Sequence, residues 1–272
     1  MTLWRRIRHA LRWRLKRIRE RLGLANPTAF IPSLVISRQQ MDFPCGGGTA
    51  SVISDYRTPL YETVAEVMDY DCYQLRDCDW TDHGRSIVVD AGANVGVTAV
   101  AFAGLFTGRI ICLEPVPENL GWLRENLARN SIDRAEIWPV GVAGTTRRDW
   151  LWRDPEQSVS AHFNADLTPA FTAGLSGTEA EFLTLSDILE RAGAEDIALL
   201  KLDIEGAEHE VIATLDASVA RRIRQITFEV HESGAGANMR ILCRRLESLG
   251  YRLTRRPERF GRKGLGHLLA RQ

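Results

Sequence analysis

Ile87-Val88-Val89-Asp90-Ala91-Gly92-Ala93-Asn94-Val95-Gly96 decides how the rest of this chain is read. A short apolar, β-branched run ends in an acid and opens into a glycine-bearing turn. Thr98-Ala99-Val100-Ala101-Phe102-Ala103 follows with helical character. The order is strand, tight loop, helix. Such a turn sets backbone N–H groups and a helix N-terminus beside a ligand at the carboxyl edge of a parallel sheet. Gly92 and Gly96 remove the Cβ that would keep a ligand off the backbone.

The spacing separates two ligands. A dinucleotide fold asks for G-x-G-x-x-G around a pyrophosphate. This chain has D-x-G-x-N-x-G, with Asn94 in the place of the middle glycine. Asp90, ahead of the first glycine, would repel a pyrophosphate. It suits the ammonium of an amino-acid moiety instead, directly or through water. A second apolar run, Arg109-Ile110-Ile111-Cys112-Leu113, ends in Glu114, twenty-two residues after Gly92. An acid at that place accepts both hydroxyls of a ribose. An ammonium and a ribose with no phosphate between them describe S-adenosylmethionine. The competing reading is an ordinary α/β turn with incidental glycines.

Composition agrees with a soluble globular protein. The chain is 44% hydrophobic and 26% charged, and it holds no apolar run near the length of a membrane span. That reads as a cytoplasmic protein. Its 272 residues suffice for one large domain with additions. The five cysteines are odd in number and form no CxxC pair, which favours thiols in a reducing compartment over a disulfide framework or a zinc site.

The zero net charge hides an asymmetry. Residues 1–22 carry nine basic residues against Glu20, so the rest of the chain is acidic by eight charges. Trp4, Ile7, Leu11, Leu15, Ile18 and Leu22 recur there at helical steps and form one apolar stripe among arginines. This is no signal peptide, because it has no continuous apolar core. Three readings stay open for the helix: contact with an anionic membrane on its inner surface, a nucleic-acid arm, or packing on its own domain or on a partner. Residues 23–57 read as a linker or docking segment, with Pro27, Pro32, Pro44 and Gly46-Gly47-Gly48 as breakers. Thr58 to Tyr70 has helical spacing, with Pro59 in its first turn.

From Ser86 the chain alternates as a doubly wound sheet does. Strands are expected at about 86–91, 109–114, 135–140, 147–153, 197–203 and 224–231. Helices are expected at about 95–105, 117–128, 185–192 (capped by Ser186), 206–215 and 237–249. Residues 154–180 are polar and lack periodicity, which marks a substrate-side insertion. Two late strands, near 251–254 and 266–270, lack a helix between them and form a hairpin. The fold class is therefore α/β, Rossmann-like: a mostly parallel seven-stranded sheet with an antiparallel edge strand, carried by residues 58–272, plus an N-terminal helical extension.

Four stretches together resemble the FkbM family of S-adenosylmethionine-dependent methyltransferases. They are Val89 to Gly96, Glu114-Pro115-Val116-Pro117, Leu200-Lys201-Leu202-Asp203-Ile204-Glu205-Gly206-Ala207-Glu208, and Phe228-Glu229-Val230-His231. The resemblance covers about residues 86–254. Many class I methyltransferases share the first stretch; E-P-x-P with K-x-D-x-E-G-A-E is far more specific. Ala91 departs from the family's usual D-I-G-A-N. The resemblance implies methyl transfer to oxygen on a sugar, a glycan or glycolipid unit, or a natural product.

The chemistry needs an oxygen aligned with the methyl and a group to take its proton. Candidates must stand at the carboxyl ends of the strands near 203 and 231. His231 is the first choice for base, because its unperturbed pKa suits proton transfer near neutrality. Asp203 would orient the acceptor hydroxyl or the histidine. Glu205 is either catalytic or a turn residue. Glu208 and His209 read as solvated, and His162 as a weaker substrate-side candidate. The cofactor residues are Asp90, Gly92, Asn94 and Gly96 near the amino-acid end, Glu114 on the ribose, and Val142 beside the adenine. No metal site is assigned. A nucleic-acid methyltransferase is the alternative enzyme, although no N-P-P-Y-like motif stands at Asp203-Ile204-Glu205-Gly206. A non-catalytic module with this fold is the third reading.

Overall fold

The computed structural model describes residues 38–55, 57–82, 84–153, 161–163, 176–231, 239–255 and 265–272. The amphipathic stretch 1–22 lies outside them, as does most of 154–175.

Seven strands form the main sheet. They are β3 (Ser86–Ala91), β4 (Arg109–Leu113), β5 (Ala135–Trp138), β10 (Asp196–Leu202), β11 (Gln225–His231), β12 (Arg252–Arg255) and β13 (Leu265–Arg271), in the spatial order β12-β13-β11-β10-β3-β4-β5. Every residue of β3 is buried, as expected of a central parallel strand covered on both faces. After β5 the chain returns to the other side of β3, so the strand order reverses between β3 and β10. Open α/β sheets bind ligands at that point. The antiparallel strand expected at the edge stands one place in. β13 runs antiparallel to both β11 and β12 and lies between them.

Helices α2 (Val97–Leu105) and α3 (Pro117–Arg129) cover one face of the sheet. Val88, Ile110, Cys112 and Leu199 of the strands meet Phe102, Leu123 and Leu127 there. On the other face α4 (Leu185–Ala192), α5 (Glu208–Thr214) and α7 (Met239–Ser248) close over Val89, Ile111, Leu200 and Phe228. A short α6 (Ala217–Ala220) leads into β11. The cap of α4 is Thr184, one residue outside the helix, rather than Ser186. Thr184 and Asp187 form a reciprocal capping box that satisfies two backbone donors.

Two segments that read from sequence as irregular contribute strands. Residues 39–54, within the expected linker, form an antiparallel hairpin of β1 (Gln39–Cys45) and β2 (Gly48–Ser54). It is anchored by Asn126, which is fully buried on α3. The Asn126 side chain accepts from Ile53 N and donates to Ile53 O, both at 2.8 Å, and donates to Val95 O at 2.7 Å. One amide thus pairs with the edge of β2 as a neighbouring strand would. The expected insertion at 154–180 contributes β8 (Ala161–Phe163) and the start of β9 (Ser176–Leu183). These join β6 (Val140–Val142) and β7 (Arg147–Arg153) in a second, four-stranded sheet. Pro139 parts β5 from β6, because it brings no N–H to a ladder.

The helix expected at 58–70 is α1 (Leu60–Val64) continued by a π-helical turn over Ala65–Asp69. Tyr70 N donates to Ala65 O, five residues back. Wide turns of this kind gather at functional sites. Among the described residues no helix is long and apolar enough to cross a membrane.

Candidate active site

A cavity of about 330 Å³ opens at the carboxyl ends of β3, β4, β10 and β11. Gly92, Asn94, Glu114, Val142, Asp203 and Glu205 of the sequence-derived site line it. Asp90 and Gly96 do not.

The turn after β3 is shaped by its neighbours. Gly92 and Gly96 have φ of +78° and +92°, and Asn94 of +50°. The N–H groups of Gly92 and Ala93 both donate to Leu113 O, at 3.0 and 3.1 Å, and Asn94 N donates to Glu114 Oε2 at 2.7 Å. The donors expected to face a ligand are therefore spent inside the protein. With the N–H groups of Gly92, Ala93 and Asn94 engaged, this part of the turn is a poor phosphate cradle. Gly96 answers to packing, since a Cβ there would come 2.6 Å from Leu123 Cδ1.

Glu114 is 4% exposed. Its Oε1 accepts from Val116 N at 2.9 Å and from Asn119 Nδ2 at 3.3 Å. Burial pushes its pKa up to about 7, against the pull of the Val116 and Asn94 N–H groups and of Asn119. A carboxyl poised there changes charge near neutrality.

Asp90 is fully buried and lies opposite Lys201 in the parallel register of β3 and β10. Lys201 Nζ sits 3.1 Å from Asp90 Oδ1 and 3.7 Å from Asp203 Oδ2. It also donates to Gly92 O at 3.0 Å. Thr98 donates to the other oxygen of Asp90. Asp90, expected to meet an ammonium directly or through water, forms a buried ion pair that fixes Lys201 beside the cavity.

Asp203 takes a second donor from far away in sequence. Tyr73 Oη donates to Asp203 Oδ2 at 2.6 Å, and the Tyr73 ring lies 5.2 Å from Lys201 Nζ. Burial, then the charge of Asp203, push the Tyr73 pKa well above its ordinary value, so Tyr73 is a neutral donor. Tyr73 belongs to the segment around α1, which supplies Pro59, Glu62, Thr63, Glu66 and Val67 to the same cavity. Helical spacing at 58–70 points to this segment, but no local signal ties Tyr73 to Asp203.

Glu205 occupies the turn after β10 with φ +54°. Glu208, which reads as solvated in the sequence, is fully buried. Its oxygens accept from Ile204 N and Gly206 N, each at 2.9 Å, and so hold the loop that carries Glu205. We expect Glu208→Ala to cost about 2 kcal/mol, because two buried donors lose a charged acceptor. Glu208→Gln should restore part of that. Urea denaturation of both variants checks it; equal stability of Glu208→Ala and the parent would refute this role.

Glu229 of β11 lines the cavity. His231 ends the same strand, and its side chain lies outside the described residues. The side chain of His162 in β8 lies outside them as well. On the far wall Val142 joins Gly141, Leu151 and Phe182. A Cβ on Gly141 would meet the Phe182 ring at 2.5 Å.

Comparison with known proteins places this site in a family. The family profile described as "Methyltransferase FkbM domain" matches residues 90–253. The chain is similar to 31-O-demethyl-FK506 methyltransferase FkbM of Streptomyces tacrolimicus, 27% identical over 220 residues, covering 67% of this chain and 84% of that protein. It is similar to methyltransferase sdnD of Sordaria araneosa, 27% identical over 218 residues, covering 70% of this chain and 81% of that protein. It is also similar to 2-O-methyltransferase NoeI of Sinorhizobium fredii, 26% identical over 141 residues, covering 47% of this chain and 56% of that one. The match begins at Asp90 and runs through the loop of Asp203 to β12, the span that supplies most of the cavity's lining, and it takes in more than half of the chain: the protein is a methyltransferase and belongs to the FkbM family.

Proposed function

We propose that this protein moves a methyl group from S-adenosylmethionine to a hydroxyl of a sugar, a glycan or glycolipid unit, or a natural product. One observation carries the reading. Glu114 stands on one side of the switch point, and Asp203, Glu205 and Glu229 stand on the other, around one cavity. The first matches a ribose and the others an acceptor hydroxyl.

The residues present fit the donor. Asn94 Oδ1 is buried and finds no hydrogen-bond partner among the described residues, so it can accept from a bound N–H or O–H. Beyond the three bonds it makes, the Glu114 carboxylate keeps an acceptor site on Oε2. Val142 offers an apolar wall to a base. When bound, the donor supplies a methyl on a cationic sulfonium, which leaves as a neutral thioether.

The chain's own residues do the rest. Tyr73 and Lys201 hold Asp203 as a fixed hydrogen-bond acceptor. A carboxylate so engaged is a weak base and a good positioner, and it would orient the acceptor hydroxyl. His231 would take the hydroxyl proton as the oxygen attacks, on the strength of its chemistry and its place at the end of β11. The carboxylates around the cavity disfavour a phosphodiester, which supports the sugar or natural-product reading over the nucleic-acid one. The names of two relatives, a 31-O-demethyl-FK506 methyltransferase and a 2-O-methyltransferase, point to oxygen as the acceptor atom. Residues 1–22 would add peripheral contact with an anionic membrane.

Calorimetric titration with S-adenosylmethionine tests the reading. The parent should bind, and Glu114→Gln should bind about 10- to 100-fold more weakly, the worth of charged hydrogen bonds. The ionised Glu114 can accept from a ribose hydroxyl on Oε2, whereas a proton there blocks that lone pair. Parent affinity should therefore fall as pH drops through about 7, by at most about tenfold per pH unit. The variant should show no such slope. No binding by a folded parent would sink the proposal.

A further inference from the structure

A second cavity, of about 580 Å³, lies at the opposite edge of the sheet, where β11 and β12 begin and β13 ends. Arg224, Arg252 and Arg271 line it, against one acid, Asp79. Arg252 and Arg271 are direct cross-strand partners in the antiparallel pair β12–β13. Gln225 lies opposite Arg271 on its other side. Directly opposed residues share a face of the sheet, so the two arginine side chains leave it on the same side. Like charges so placed repel.

Neither guanidinium forms an ion pair among the described residues. Arg252 has no hydrogen-bond or ion-pair partner there. Arg271 donates only to neutral oxygens, Asp77 O at 3.1 Å and Thr254 Oγ1 at 3.4 Å. Asp79 has its Oδ1 taken by Thr81, whose N and Oγ1 donate at 2.9 and 2.6 Å.

The walls are held in place. Arg224 pairs with Asp196 at 3.3 Å and donates to Thr81 O and Ser86 Oγ, each at 3.1 Å. The amide of Gln225, 3% exposed, is locked by Asp79 N at 2.8 Å, Asp79 O at 2.7 Å and Ala198 O at 3.1 Å. A held rim with two guanidinium forks outside any ion pair matches the oxygens of a phosphoryl group, which arginine binds in bidentate fashion.

We propose that this cleft is an anion site for a phosphoryl group, carried by a soluble phosphorylated metabolite or by a phospholipid headgroup. It is separate from the methyl-transfer cavity and does not rest on the function proposed above. The two sources share their chemistry, and the test separates them.

The full chain is titrated with inorganic pyrophosphate, and its binding to phosphatidylcholine vesicles with and without phosphatidic acid is measured in parallel. Arg252→Gln and Arg271→Gln are compared with the parent in both assays, so residues 1–22 remain constant. Arg252 is exposed and unpartnered, and Arg252→Gln should melt no lower than the parent. Pyrophosphate should bind the parent with Kd below about 1 mM and raise its melting temperature. Each variant should lose about tenfold in affinity and most of that thermal shift. A parallel loss of vesicle binding assigns the headgroup source; a loss with pyrophosphate alone assigns the soluble one. The proposal is overturned if pyrophosphate shows no saturable binding up to about 10 mM, or if both variants bind it as the parent does.

Discussion

Lys201→Met should cost about 3–5 kcal/mol of folding stability, the penalty for stripping one partner from a buried ion pair. Lys201 is 1% exposed and Asp90 is fully buried. Methionine fills the stem's volume, so the variant isolates the charge. Burial on its own would lower the lysine pKa, but Asp90, then Asp203 and Glu229, outweigh it and raise the pKa above its usual value. The group is thus a cation throughout the neutral range. A raised lysine pKa contributes stability that is complete below the unfolded value, 10.5, and is lost only as pH climbs through the folded one. Neutral-pH urea denaturation therefore sees the whole effect. Removing the ammonium strands the Asp90 carboxylate, with Thr98 as its remaining donor, and frees the Gly92 carbonyl. Lys201→Met combined with Asp90→Asn should recover much of the loss, because the second change removes the stranded charge. A single variant within about 1 kcal/mol of the parent would mean that the pair does not carry this weight.

Gly92→Ala should be nearly as damaging, at about 2–5 kcal/mol, and should abolish donor binding. Two costs add. At φ +78° an L side chain is strained, and a Cβ would fall 1.9 Å from the Asp203 carbonyl oxygen. That neighbour is backbone and cannot swing aside, so β3 and β10 must part at the switch point. Asp203 would then move away from Tyr73 and Lys201. Gly193→Ala supplies the comparison. Gly193 ends α4 at φ +58°, and a Cβ there would meet nothing within 4 Å, so only backbone strain applies, about 1 kcal/mol. Thermal melts of the two variants decide the matter. Equal losses would show that the approach of Asp203 to Gly92 is not what demands glycine.

The same comparison shows what glycine reports in a sequence. The motif reads Gly92 as an opening for a ligand. Its missing Cβ also makes room for the end of the neighbouring strand, while Gly92 itself lines the cavity. Asp90 follows the same logic: its place in the motif is legible, but its partner is not. Only the register of β3 against β10 sets it opposite Lys201.

Local sequence is enough for the alternation of strands and helices from Ser86 onward, the strand–turn–helix at Gly92, and the place of Glu114, Asp203 and Glu205 at strand ends. These features follow from hydrophobic periodicity and from glycine and proline punctuation, which act over a few residues. The remaining features belong to the closed fold. It brings Tyr73 to Asp203 across 130 residues and Asn126 to Ile53 across 73. It turns Glu208 inward to hold its own loop, folds residues 39–54 into a hairpin, and sets β13 between β11 and β12. Each is a pairing between groups whose local patterns carry no mark of one another. A buried polar group is stable only with a partner, and that partner exists only once the chain has closed.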